Sequence, residues 1–332
     1  MSDLQYTVFT VLSQMAVGAL IALVLADFLA KDEKAERFYE TASYIIVPAV
    51  AIAAIAILLS ILPNITISYL IISKPETWVA RETLMMSLFG VWGLIYTILW
   101  VLHPKYGSLR GKVSLVDKIV DKLVGDSIKD IRKAVGLISI VVGMLFVTTS
   151  GMTYALVGLP VLNHFTTPLF FIMTALLVGP AAVAAVVSLK YKRGCADVES
   201  NKYAETLSTY LGIMWKYLLV AIIVLIALIA VHLQFLQSPG MGPGGRTVVE
   251  NMLAGEYAAP FLMRMIIGIA VTLILLIGVM LSLKAENVSR AATLTLGIFA
   301  SVMIGEVLGR VLFYEFSHLN AYLFEAIPLL GL

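Results

Sequence analysis

Residues 166–189 read TTPLFFIMTALLVGPAAVAAVVSL, twenty-four positions without one charged side chain. As an α-helix this stretch is about 36 Å long at 1.5 Å per residue, enough to cross a hydrocarbon layer about 30 Å thick. A membrane-barrel strand needs only about 9–11 residues and alternates between its two faces; this stretch does neither. Seven more stretches read the same way, placing spans at 6–29, 43–63, 82–103, 134–157, 166–189, 210–234, 260–283 and 291–315. The expected fold is therefore an all-α integral membrane protein, a single transmembrane domain over 1–332 built as an eight-transmembrane-helix bundle. Composition agrees: 60% of residues are hydrophobic, 13% are charged, and the mean hydropathy is +0.97. A soluble domain has about 45–50% apolar and about 25% charged residues, so this chain lacks the charge to cover a water-facing surface.

Basic residues decide the expected orientation. The first, third, fifth and seventh loops together hold 17 Lys and Arg, and the even loops hold three: Lys74, Arg81 and Arg246. Both termini and the even loops are thus expected on the outer side of a cell (cytoplasmic) membrane. No basic residue precedes the first span, which is preceded by Asp3 instead, so a cleaved signal peptide is not expected. In the long third loop, Leu115, Val116, Ile119, Val120, Leu123 and Val124 recur at helical spacing against Asp117, Lys118, Asp121 and Lys122. That pattern predicts an amphipathic helix on the inner membrane surface, with a solvated hairpin as the alternative. The sixth loop, Ser238-Pro-Gly-Met-Gly-Pro-Gly-Gly245, reads as irregular.

Charged groups in spans are costly, so their positions carry information. Glu82 opens the third span beside Arg81 and Trp78; Gln14, Arg264, Glu306 and Arg310 also fall in the outer half, with Asn163 and His164 in the outer fourth loop. On the inner side Asp27 and Lys216 lie near enough to the interface to snorkel. Structural readings compete with functional ones. Glu306 and Arg310, at i and i+4, either neutralise each other or serve a site. Gln14 either binds a ligand or holds two helices together. Glu82 is either a working carboxylate or a helix-start acid favoured by the macrodipole. Tyr6, Tyr44, Tyr69, Trp100 and Trp215 read as interface anchors.

Several classes are excluded. A net charge of +2 gives no reason to expect nucleic-acid binding. The one cysteine, Cys195, supports neither an internal disulfide nor an iron–sulfur cluster held by this chain alone. Of four histidines, His103 falls at the inner end of span three, His232 at the outer end of span six, and His164 and His318 outside the spans, so a bis-histidine haem is not expected. There is no Walker loop and no dinucleotide fingerprint.

A series of strings resembles one family. Phe9-Thr-Val-Leu-Ser-Gln-Met-Ala-Val-Gly18 is similar to the first helix of the membrane-anchor subunit of the dimethyl sulfoxide reductase family, relatives of the polysulfide reductase membrane subunit. Trp78-Val-Ala-Arg-Glu82 resembles that family's start of helix three. Asn163-His-Phe-Thr-Thr-Pro168 and Thr174-Ala-Leu-Leu-Val-Gly179 resemble its helix five, and Leu253-Ala-Gly-Glu-Tyr257 and Gly309-Arg-Val-Leu-Phe-Tyr314 its later helices. The matches run in order from residue 9 to 314.

The resemblance implies a haem-free subunit that oxidises membrane quinol in anaerobic respiration. It would pass electrons to a four-cluster, ferredoxin-like iron–sulfur subunit, which feeds a molybdenum bis-pterin catalytic subunit. This chain would bind quinol or quinone as substrate and hold no haem or iron–sulfur cluster. Glu82 becomes the expected proton acceptor. Arg81 and Asn163 become hydrogen-bond partners of a ring oxygen or of Glu82, Arg310 an electrostatic support, and Gln14 a further quinone contact. Family members often carry a histidine after helix two; here that region reads Leu62-Pro-Asn-Ile-Thr, which shifts proton acceptance onto Glu82. The alternative from another class is a secondary transporter with its substrate at Glu306, Arg310 and Arg264. Against it, transporter sites usually lie at midplane between repeats and broken helices, and only Pro48, Pro180 and scattered glycines permit a break.

Overall fold

The computed structural model describes residues 2–30, 32–62, 66, 69, 73–105, 107–108, 110–112, 114, 117–118, 122, 127–156, 158–194 and 200–325, with side chains at 2–3, 60–61, 200–202 and 317–325 left aside. The apolar positions of the expected third-loop amphipathic helix, residues 63–65 after span two, and Cys195 lie outside the described residues.

Among the described residues every long element is helical, and eight helices are long and apolar enough to cross a membrane. In chain order the elements are α1 (Ser2–Leu29), α2 (Glu33–Ser43), α3 (Ile46–Ile61), α4 (Trp78–Val101), α5 (Ile128–Met152), α6 (Thr166–Arg193), α7 (Ser200–Leu236), α8 (Gly242–Leu253), α9 (Ala258–Met263), α10 (Thr272–Lys284) and α11 (Val288–Glu325). A π-helical stretch, Arg264–Val271, joins α9 to α10.

Local chemistry explains the ends and breaks. Asp32 caps α2 by accepting from the Ala35 amide at 2.9 Å, and Thr77 caps α4 by accepting from the Ala80 amide at 3.2 Å. The second span breaks at Tyr44 and Ile45 because Pro48 has no N–H to offer the carbonyl four residues earlier. The sixth loop departs from expectation. A 3-10 turn at Pro239–Met241 leads directly into α8, with Pro243 in the first helical turn, where a missing N–H costs nothing.

Two helices form the centre. The spans in α1 and α6 are each 78% buried, against 28–44% for the other six. Their buried faces carry many small residues, Ala16, Ala19, Ala22 and Ala26 on α1 and Ala175, Ala181, Ala182 and Ala185 on α6. At the crossing Gly18 and Gly179 touch backbone to backbone; a Cβ on Gly18 would lie 1.8 Å from the Ala175 carbonyl oxygen. Close approach of this kind is how helices associate where lipid removes the hydrophobic drive. Helices α3, α4 and α5 gather with α1, and α7, α10 and α11 with α6, giving two four-helix groups joined along the α1–α6 seam. Their outward faces show Ile55, Leu84, Val141, Val220 and Ile274, apolar surface that suits lipid. Beside the start of α6, a smaller apolar cluster of Val161, Leu162, Leu236, Val248, Met252 and Phe316 packs α8 over α7 and α11.

Candidate functional site

Polar side chains are buried at both ends of the bundle, and the two ends differ. At the end holding the start of α4, Glu82 lies one turn into the helix and is buried. Its carboxylate accepts from Ser150 and from Thr153 Oγ1 at 3.1 Å, both at the end of α5. It makes no ion pair among the described residues. Hydroxyls both donate and accept, so the carboxylate and the protonated acid each find partners here. Such a group can take up a proton and hand it on without leaving a buried atom unsatisfied.

Arg81 does not join it. The Arg81 side chain is exposed, donates to the Pro75 carbonyl at 3.3 Å and lies over the Trp78 ring at 4.6 Å. Successive residues on a helix point about 100° apart, so adjacency in sequence separates the two. Asn163 is exposed in the turn before α6, with its amide bonded to the Leu159 carbonyl at 2.9 Å.

Gln14 and Arg310 do meet. The Arg310 Nη2 donates to Gln14 Oε1 at 2.9 Å and to Thr174 Oγ1 at 3.2 Å, tying α11 to α1 and α6. Thr174 also stands 2.6 Å from Glu306 Oε2. Glu306 and Arg310 therefore share a threonine and form no ion pair with each other, contrary to simple i, i+4 neutralisation. The Arg310 guanidinium lies over the Phe171 ring, its Cζ 3.7 Å from the centroid. Between this group and Glu82 stands an aromatic wall. Tyr154 packs on Phe171, Phe313 and Tyr314, its hydroxyl is 3.2 Å from that of Tyr314, and Tyr314 donates to Thr10 at 3.4 Å.

On the far side of that wall is a cavity of about 690 Å³ including its open mouth, between α6, α7, α9 with its π-helical extension, and α11. Arg264, Glu306 and Arg310 line it together, with His232 and a mostly apolar remainder of aliphatic and phenylalanine side chains; Glu82 does not. Spacing along the chain does not reveal that Thr166 Oγ1 lies 2.8 Å from His232 Nδ1 and 2.9 Å from His164 Nδ1, linking the fourth loop to the cavity wall. His164 stacks on Phe235 at 4.1 Å, and burial holds its imidazole below the usual histidine range. The available signal was depth, since both histidines fall at the same end of the chain's spans.

The opposite end corrects two expectations. Asp27 does not snorkel: it is fully buried, and Arg132 grips it with Nη2 at 2.6 Å and Nε at 2.9 Å while also reaching Glu36 at 3.0 Å. Trp100 is no interface anchor; it is fully buried with the Arg132 guanidinium 3.8 Å from its ring. Lys129 completes the group at 2.5 Å from Glu36. Hydropathy starts this span at 134 and leaves Arg132 in the preceding loop, whereas α5 begins six residues earlier, at Ile128. Lys216 is exposed. Among the described residues no three of His, Cys, Asp or Glu cluster as metal ligands.

Compared with known proteins, the chain matches no protein-family model and no curated protein.

Proposed function

We propose that this chain is the haem-free membrane anchor of a molybdopterin oxidoreductase, oxidising membrane quinol near Glu82 and passing electrons to a docked iron–sulfur subunit. The observation that carries the reading is the Glu82 carboxyl itself, buried, without a cation, and held by Ser150 and Thr153. Quinol oxidation releases two protons with two electrons, so the site needs a base that works without a permanent counter-ion. Glu82 supplies it one helical turn from the bundle end, where a quinol ring arrives from the lipid and a partner subunit docks on the same face. Gln14 and Arg310 stand behind the aromatic wall as electrostatic support; Arg81 and Asn163, both exposed, are left to contact the ring or the partner from outside. The iron–sulfur and molybdenum centres belong to the partners.

The test is quinol-dependent reduction by the native complex isolated from membranes. Loss of turnover in Glu82→Gln, with the iron–sulfur subunit still bound, supports the reading; normal turnover removes Glu82 from it. Proton release is expected on the outer side only, and proton uptake from the inner compartment of sealed vesicles, in fixed ratio to turnover, overturns that part.

The transporter alternative draws on a different observation, the convergence of Arg264, Glu306 and Arg310 on one cavity. A transporter moves its solute in vesicles that contain this chain alone; an anchor subunit does not.

A further inference from the structure

The cavity between α6, α7, α9 and α11 does not include Glu82, and its charges are unbalanced. Three formally charged side chains line it, Arg264, Arg310 and Glu306. The single carboxylate is engaged by Thr174. Arg310 is 4% exposed, and its Nε has no hydrogen-bond partner. Arg264 makes no ion pair or hydrogen bond among the described residues, and its guanidinium lies against Gly309, where an added Cβ would come within 2.5 Å of Cζ. Gly309 thus leaves the room that Arg264 occupies. One positive charge in excess, within a wall otherwise built from groups such as Phe170, Phe261, Phe313 and Ile229, is costly unless an anion joins it.

We propose that this cavity binds an amphiphile with a single anionic, oxygen-bearing head, the head resting on Arg264 and Arg310 and the hydrocarbon on the apolar lining. A neutral ring leaves the extra charge uncompensated, and a small inorganic anion leaves the apolar wall bare. An anionic amphiphile satisfies both. Two sources share this chemistry, a single-chain carboxylate and an acidic phospholipid with a phosphodiester head. The proposal is independent of the quinol reading, because binding is measured without electron transfer.

The test uses the full chain, delipidated in a neutral detergent, and three probes: oleate, dioleoylphosphatidylglycerol, and zwitterionic dioleoylphosphatidylcholine as reference. Native mass spectrometry counts bound probe, and the thermal midpoint reports stabilisation. At least one anionic probe should bind tenfold or more tightly than the reference. Arg264→Gln should remove that preference, Arg264→Lys should keep part of it, and Arg290→Gln, an exposed arginine far from the cavity, should leave it unchanged. Gly309→Ala provides a second variant if Arg264→Gln does not fold, because it displaces the guanidinium without changing charge. Binding of oleate alone assigns a carboxylate head, and binding of phosphatidylglycerol alone a phosphodiester head. Equal binding of all three probes, or a preference that survives both Arg264→Gln and Gly309→Ala, overturns the proposal.

Discussion

Asp27 and Gln14 lie on the same helix, thirteen residues apart and so about 20 Å along its axis, and both bind a buried arginine from a distant helix. At the Asp27 end the arginine is matched: Arg132 holds Asp27 with two nitrogens and Glu36 with one, and Trp100 covers its face. At the Gln14 end Arg310 meets a neutral amide and a threonine, while Glu306 and Glu82 meet hydroxyls. The first cluster has its valences filled by fixed charges, which suits a clamp between α1, α2 and α5. The second keeps charges supported by neutral groups that can change partner, which suits proton transfer and ligand binding. Burial alone does not separate these roles; the identity of the partner does.

The largest effect should come from opening the closed cluster. Arg132→Met strands the buried Asp27 and leaves Glu36 with Lys129 alone, and should cost about 3–5 kcal/mol, read as a lower thermal midpoint in detergent. Adding Asp27→Asn and Glu36→Gln should restore most of that loss. A single Arg132→Met variant as stable as the parent would mean that the cluster is no clamp.

Glu82→Gln should act in the opposite manner. We expect stability within about 1 kcal/mol of the parent, since the amide keeps the volume and can accept from one of the Ser150 and Thr153 hydroxyls while donating to the other. Quinol turnover in the complex should fall at least about a hundredfold, the usual worth of a positioned base. A variant that unfolds while the remaining folded fraction turns over normally would make Glu82 a second structural clamp and erase the contrast.

Gly18 lies between the clusters on the α1–α6 seam. Gly18→Ala forces a methyl onto the Ala175 carbonyl and should cost about 1–3 kcal/mol through displaced backbone. Because α1 serves both ends, the midpoint and quinol turnover should fall together. A drop in turnover with no change in midpoint would show that the ends do not share one packing axis.

The smallest effect concerns pH at the closed end. Burial, and then the Arg132 charge, push the His103 imidazole down to about 4, against about 6.5 in an unfolded chain. The Lys105 amide donates to its Nδ1 at 3.4 Å, which also requires the neutral ring. Between those values the unfolded chain binds a proton that the folded one does not. His103 therefore costs nothing above about pH 6.5, and destabilises increasingly as pH falls toward about 4. The difference in thermal midpoint between the parent and His103→Gln should widen over that window; a difference that stays flat would place His103 in water.

Hydropathy alone located all eight spans, because a run of more than twenty mostly apolar residues has few other stable fates, and each structural span overlaps its expected one. The break near Tyr44 was legible in principle from Pro48, a local constraint. The polar pairings were not. Asp27 and Arg132 are 105 residues apart, Gln14 and Arg310 296, and His232 is 66 from the threonine that joins it to His164. Depth placed each partner at the correct end of the bundle, but depth is one coordinate, and several polar groups share each level. Which of them touch depends on how helices rotate and cross, and that is set by contacts such as Gly18 against Gly179. Glu82 was singled out from sequence by its residue type and its place on a helix; that its neighbour Arg81 turns away was decided by the 100° step of the helix and by which face the bundle buries. The sequence by itself determined how many helices cross and which residues reach each end, since those follow from the cost of charge in hydrocarbon. Only the tertiary structure decided which charges are matched and which are left open, because pairing across helices is a property of packing and not of any single segment.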